Sequence, residues 1–352
     1  MSTVRFPGPL VPGDKVGVTG PSMGIGGWDK PGLERAVAAV RGRGYEVVMG
    51  ACLDGSSHVS APAADRAAEL TQMLTDPAIR AVVPPRGGET AIDLLPLLDW
   101  AAIAAAEPTW FAGFSDISTL LLPMTLATGV ATLHSNNLLN TPYGHGGQAV
   151  TWLDIVAMRP GAVFTQSYPA RSRTAAGVTA AAGAHAGNGL RPRSVGARLR
   201  DGDAAWVRLD GDGPVDVSGR LIGGCVETVR HLAGTPYGDI PRFSRECASD
   251  SLIVYLEASG DDAYAVCRSL HGMRLAGFFT GARAVLVGAT IAPDAATMTQ
   301  QEAVLDALSG LGVPIIADVG CGHVPPYLPI VNGALGRVQL GGGLGALTQT
   351  LG

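Results

Sequence analysis

Between residues 14 and 124, short apolar runs alternate with stretches of helical period, and few folds accept that alternation. Asp14-Lys15-Val16-Gly17-Val18 reads as a buried strand running into the tight loop Thr19-Gly20-Pro21-Ser22. A helix is expected from Pro31 to Arg43, where Leu33, Val37 and Val40 share a face, and Gly44 stops it before a strand ending at Met49. The pattern then repeats. Ala67, Leu70, Met73 and Leu74 mark a helix over 63–76, Ala81-Val82-Val83 a third strand, and 90–98 a further helix before a strand that ends at Phe114. Such a series implies a parallel sheet with helices on both faces and ligands at the carboxyl ends of the strands.

The last of these strands is the most informative. Trp110-Phe111-Ala112-Gly113-Phe114 leads into Ser115 and Asp116, and Ile117, Leu120, Leu121 and Met124 then recur at helical spacing. A serine on a sharp strand-to-helix turn holds its hydroxyl clear of the sheet, beside the free N–H groups of the helix start. Those N–H groups can hold an oxyanion, so the geometry suits a nucleophile. The plainer alternative is an N-cap at Ser115 or Asp116. The nucleophile elbow of the large hydrolase fold is excluded, because it needs glycine two residues after the serine and Ile117 stands there.

Past Pro160 the character changes. Residues 161–200 are rich in Ala, Gly, Arg and Ser without a sustained period, and read as a linker and surface excursion. Short strands follow at 206–209, 214–217 and 219–224. A second alternating block then runs through strand 252–257, helix 261–275, strand 284–290, helix 299–308 and strand 313–317, with closing strands between Tyr327 and Leu340. This divides the chain into an N-terminal α/β domain over 1–160, an excursion over 161–218 and a C-terminal α/β domain over 219–352.

The chain has 352 residues, 47% hydrophobic and 16% charged, enough to bury a large core and too apolar for global disorder. A net charge of −5 leaves no footprint for nucleic acid or an anionic membrane. The start, Met1 to Pro9, lacks the basic and apolar regions of a signal peptide, and no apolar run has the make-up of a membrane span. Cys52, Cys225, Cys247, Cys267 and Cys321 are scattered and unpaired in spacing. They read as free thiols, which together with the missing leader points to the cytoplasm. Neither a cofactor nor a metal is expected. Gly24-Ile25-Gly26-Gly27 lacks the GxGxxG spacing, no Walker lysine is present, and no two histidines have ligand spacing.

Three strand ends carry reactive side chains: Ser115, Glu257 after the apolar run 251–256, and His323 in the glycine-rich loop after Ala317. A serine, a histidine and a carboxylate at strand carboxyl ends can converge into a nucleophile, a base and its orienter. Glu227 is the competing carboxylate.

These residues, in this order, resemble the LD-carboxypeptidase family of serine peptidases, which includes the microcin-C immunity hydrolases. The matching pieces are Asp14 to Val18 with Pro21-Ser22, Arg86-Gly87-Gly88 followed by Leu94 to Asp99, and Gly113-Phe114-Ser115-Asp116. They continue with Gly219 to Gly224, Leu232-Ala233-Gly234-Thr235, Tyr255-Leu256-Glu257 and Gly322-His323, and so run through essentially the whole chain. The resemblance implies a Rossmann/flavodoxin-like N-terminal domain and a smaller C-terminal α/β domain, with the active site between them. It implies a Ser115–His323–Glu257 triad, an oxyanion hole from the main-chain N–H groups of Gly88 and Asp116, and a homodimer.

Departures bear on the substrate. The family commonly has Asn-Leu where Cys225-Val226 stands, and Gly-Pro where Ser135-Asn136 follows His134. After Arg86-Gly87-Gly88 the murein enzymes usually have Tyr-Gly, and Glu89-Thr90 here is closer to the immunity branch. Arg86, Glu89 and Cys225 are candidate substrate-binding residues, although Arg86 could equally be a structural ion-pair partner. The expected activity is amide hydrolysis through an acyl-enzyme, on a murein tetrapeptide or related peptide. The alternatives are a peptidyl- or aminoacyl-nucleotide antibiotic, for which Trp152, Tyr168 or Trp206 would have to stack the base, and acyl transfer in a biosynthetic pathway.

Overall fold

The first sheet forms where the alternation places it. In the computed structural model, which describes residues 4–142, 150–171, 205–247, 249–324 and 327–352, β1 (Lys15–Val18) pairs in parallel with both β2 (Glu46–Met49) and β3 (Ile79–Val82). β3 then pairs with β4 (Trp110–Gly113), and β4 with β5 (Thr132–His134), again in parallel. The crossovers are α1 (Lys30–Gly42), α2 (Ala63–Thr75), α3 (Trp100–Ala105) and α4 (Ser118–Thr128). The helix expected over 90–98 shrinks to a 3-10 turn, Ala91–Leu94, and α3 starts later, where Asp99 accepts from Ala102 N–H. Pro96 explains the break, since it has no N–H to continue the ladder.

α4 is apolar on every face, as a helix must be when all but its last turn is buried. Leu120, Leu121 and Leu122 are each 1% exposed or less, so truncating any one to alanine costs about 2–5 kcal/mol. It packs on the sheet and also on strands from the second half of the chain.

That second half closes into an eight-stranded barrel. Its strands are β6 (Val163–Arg171), β7 (Trp206–Arg208), β8 (Val215–Cys225), β9 (Leu252–Glu257), β10 (Ala282–Gly288) and β11 (Ile315–Val319), with two more at the C-terminus. Between them comes β12 (Ile330–Asn332), which leaves the barrel and adds antiparallel to β5 at the edge of the first sheet. β13 (Leu335–Gly341) and β14 (Leu344–Thr350) form the closing hairpin, and the barrel order is β10-β11-β7-β6-β14-β13-β8-β9. Alternation sorts each strand's two faces. On β9, Ile253 and Tyr255 join one core cluster with Trp206, Leu286, Ile316 and Leu347, while Leu252, Val254 and Leu256 join the other. With both faces buried, β9 reads as a continuous apolar run.

Short helices complete the chain: α5 (Trp152–Ile155), α6 (Val226–Val229), α7 (Ile240–Glu246), α8 (Ala263–Leu275) and α9 (Gln300–Leu308). The chain is thus a two-domain α/β fold with mixed sheets. The excursion expected over 161–218 is corrected in part, because β6, β7 and the start of β8 are barrel strands, while 172–204 lies outside the described residues. β6 escaped notice because its buried positions include Gln166 and its run ends in Pro169, so no apolar alternation shows. No helix among the described residues is long and apolar enough to cross a membrane.

Candidate active site

Ser115 sits at the carboxyl end of β4 with φ of 63°, a left-handed conformation that a side chain rarely adopts. Such strain persists only where neighbours enforce it. Here Asn137 Oδ1 accepts from Phe114 N–H at 3.1 Å, and Ser135 N–H donates to Gly113 C=O at 2.9 Å, which pins the turn from β5. Neither Ser115 nor Asp116 caps the following turn through its side chain, so the N-cap alternative does not describe them. The buried Asp116 carboxylate instead accepts from Ser22 Oγ at 2.6 Å, Ala91 N–H at 2.9 Å and Thr119 Oγ1 at 3.3 Å. It ties together the loops that leave β1, β3 and β4.

Gly87 lies against the serine. A Cβ built there would stand 3.0 Å from Ser115 Cβ, 3.1 Å from Ser115 Oγ and 3.2 Å from Asp116 N. The missing side chain leaves open the space beside both the hydroxyl and a main-chain N–H. The resemblance implied Gly88, whose own missing side chain faces Ser22 Oγ.

Glu257, at the end of β9, is fully buried and accepts from His323 Nδ1 at 2.8 Å. Glycines make its slot: a Cβ on Gly288 would meet Glu257 Cβ at 2.6 Å, and one on Gly322, where φ is 105°, would meet the carboxylate at 2.5 Å. His323 follows Gly322 and packs its ring on Phe114, the residue before Ser115, with centroids 4.8 Å apart. Burial drives the His323 pKa down, but the charge and hydrogen bond of Glu257, with Glu227 farther off, outweigh it and leave the imidazole more basic than usual.

Glu227, the competing carboxylate, is engaged elsewhere. Its Oε1 accepts from the N–H groups of Ser259 at 2.8 Å, Gly260 at 2.9 Å and Asp261 at 3.3 Å, closing the loop after β9. Burial would raise its pKa, and these N–H groups with the Cys225 thiol pull it below the usual carboxylate value. Cys225 donates its S–H to Glu227 Oε2 at 3.1 Å and is 2% exposed. Burial, then the charges of Glu257 and Glu227, push the thiol well up, so it stays protonated.

Arg86 pairs with Asp29 and stacks under the exposed ring of Trp28, 4.8 Å from its centroid, which favours the structural reading of this residue. Glu89 is exposed beside the site, and its carboxyl is raised by partial desolvation and then by Asp116 and Glu227. The aromatic residues considered for base stacking are packed instead. Trp152 is buried and donates to Thr141 Oγ1 at 2.9 Å, while Tyr168 stacks on the fully buried Trp206.

Two sets of side chains among the described residues bring three metal-ligand atoms within 4.8 Å of one another: Cys225, Glu257 and His323, and Cys267, His271 and Asp306. In the first, the thiol is protonated and the imidazole nitrogen is already bonded to the carboxylate. The second lies where α8 meets α9, with Cys267 and His271 one helical turn apart and Asp306 opposite them. Two further residues were missed. Gly87 carries no side chain to betray its contact, and His134 lies in a plain strand.

A left-handed serine beside Gly87 thus follows Phe114, whose ring packs on the imidazole of a buried carboxylate–imidazole pair. The descriptions of the LD-carboxypeptidase N-terminal and C-terminal domains match residues 16–135 and 218–338, and the chain belongs to the LD-carboxypeptidase family of serine peptidases. It is 28% identical over 346 residues, 97% of this chain and 95% of the other, to a Streptomyces coelicolor protein named as a carboxypeptidase. It is 24% identical to the microcin C7 self-immunity protein MccF of Escherichia coli, over 92% of this chain and 90% of that one. A structure of MccF with aspartyl sulfamoyl adenosine superposes with a TM-score of 0.75 at 21% identity, covering 98% of both chains. The muramoyltetrapeptide carboxypeptidase of Oxalobacter formigenes gives 0.70 at 19% identity, over 96% and 98% of the two chains. These likenesses at low identity establish a shared fold.

Proposed function

We propose that this chain hydrolyses an amide through a Ser115–His323–Glu257 triad, with murein tetrapeptide or a related peptide as substrate. The observation that carries the reading is the 2.8 Å bond from His323 Nδ1 to the fully buried Glu257. That bond leaves Nε2 as the ring nitrogen that can accept a proton, on an imidazole packed against Phe114, the residue before Ser115. Nε2 takes the Ser115 proton as Oγ attacks the carbonyl, and Glu257 stabilises the resulting imidazolium. The N–H groups of Asp116 and Gly88 hold the oxyanion, in the space that Gly87 leaves open. The imidazolium then protonates the departing amine, and water, activated by His323, releases the acyl group from Ser115. Burial holds the Cys225 thiol protonated, which keeps it from competing with the serine.

A second reading is hydrolysis of an aminoacyl- or peptidyl-nucleotide, favoured by the likeness to MccF with aspartyl sulfamoyl adenosine bound. Wild type and Ser115→Ala are assayed against a murein tetrapeptide and against aspartyl sulfamoyl adenosine. Release of the terminal residue from the tetrapeptide, lost in the variant, supports the first reading. Cleavage of the nucleotide alone supports the second. Undiminished activity in Ser115→Ala removes the triad.

A further inference from the structure

The site leaves two buried polar atoms facing each other. Oε2 of Glu257 is bonded to His323, but Oε1 has no partner among the described residues. His134, the last residue of β5, is 1% exposed, and its Nε2 also has none. The two stand 3.9 Å apart. A buried donor or acceptor left unmade costs the full desolvation of that group, so native interiors seldom keep two side by side. The gap is too short for a water to bridge at ordinary lengths and angles, and about 1 Å longer than a direct N–H···O⁻ bond. A small rotation of either side chain closes it.

Two neighbouring donors have acceptors elsewhere. The Cys225 thiol gives its one proton to Glu227 at 3.1 Å, and the Tyr255 hydroxyl gives its own to Asn332 Oδ1 at 2.9 Å. Cys321, buried near the carboxylate, offers only a weak S–H donor. His134 remains.

We propose that His134 is a positioning residue: with its proton on Nε2 it donates to Oε1 of Glu257, and so fixes the carboxylate plane in which Oε2 meets His323. The inference rests on the triad reading above. Burial drives the His134 pKa down to about 4, so the ring is neutral at working pH and its tautomer is set by the acceptor it faces. Its place in the fold adds a reason. β5 lies beside β4, which delivers Ser115, whereas Glu257 and His323 come from the barrel. A bond from His134 to Glu257 holds the base and its orienter in register with the nucleophile across the two sheets.

The test uses His134→Leu, which keeps volume without a donor, and His134→Gln, which restores an N–H at similar reach. With the substrate that wild type cleaves, His134→Leu lowers kcat on the order of 10–100-fold with KM within about twofold. It also moves the acid limb of the pH profile upward by on the order of half a unit. Without that donor Glu257 is more basic, and His323 keeps its proton to higher pH. The other titratable groups packed around the pair, Glu227, Cys225, Tyr255 and Cys321, are untouched by either variant. His134→Gln recovers most of both effects. Unchanged kcat and acid limb in His134→Leu overturn the proposal, as does a His134→Gln no better than His134→Leu at equal stability.

A readout without turnover separates this from the triad itself. In Ser115→Ala, the far-downfield Nδ1 proton of His323 is followed by NMR, and adding His134→Leu shifts it further downfield, as a more basic Glu257 requires. An unmoved resonance sinks the role of His134 and leaves the triad standing. No such resonance in the Ser115→Ala parent removes the triad and this inference together.

Discussion

At the scale of single residues, the His323–Glu257 pair sets the pH response. In the proposed triad His323 must be neutral to accept the serine proton, and its raised pKa means that it holds a proton to higher pH than an ordinary imidazole. Activity therefore falls as pH drops, with a midpoint above the usual value of about 6.5. In Glu257→Gln the charge that raised the pKa is gone and burial dominates, so the limb moves to lower pH while kcat drops by about 10⁴-fold. A pH–rate profile of both forms reads the two effects at once. Gly87→Ala tests the open space beside the hydroxyl, since its Cβ would crowd Ser115 Oγ at 3.1 Å. kcat is expected to fall by about 10²-fold or more, with the urea midpoint nearly unmoved.

At the scale of elements, the strand-end loops are held as a set. Asp116 accepts from Ser22, Ala91 and Thr119, one on each of the loops after β1 and β3 and one on α4. Asp116→Ala strands those buried donors and is expected to cost about 2–4 kcal/mol in urea unfolding. Activity should fall too, although the main-chain N–H of residue 116 is still there, because the loop bearing Gly87 and Gly88 is no longer tied. An activity that survives while stability drops would show that the loop keeps its shape without the carboxylate. The alternation of strand and helix was legible at this scale because each element's period is written in its own residues. β6 was not legible, since Gln166 is buried in it where the pattern calls for an apolar side chain.

At the scale of the molecule, β12 is the seam. Chain from the C-terminal half completes the N-terminal sheet, and Asn332 within it joins three partners. Its Oδ1 accepts from Gly223 N–H at 3.2 Å and Tyr255 OH at 2.9 Å, and its Nδ2 donates to Thr132 Oγ1 at 3.1 Å. Asn332→Leu leaves the Gly223 N–H and the Tyr255 hydroxyl unpaired, while Thr132 Oγ1 keeps Thr125 and Leu121, with an expected loss of about 2–4 kcal/mol. Because sheet and barrel share this strand, urea unfolding of the wild type should be a single transition by fluorescence and circular dichroism. Two separate transitions would mean that the halves fold independently.

Local sequence specifies the parallel α/β character of the first half, and the strand ends that carry Ser115, Glu257 and His323. Both are local properties: periodicity decides the element, and a reactive side chain after an apolar run lies at that element's carboxyl end. Long-range packing is what closes the second half into a barrel, carries β12 to the other sheet, and lays Gly87 against the serine. It also decided that Arg86 faces Asp29, and that His134 stands over the free oxygen of Glu257. Each of these joins residues far apart in the chain, and which distant groups meet follows from how the burial of whole faces is resolved in three dimensions.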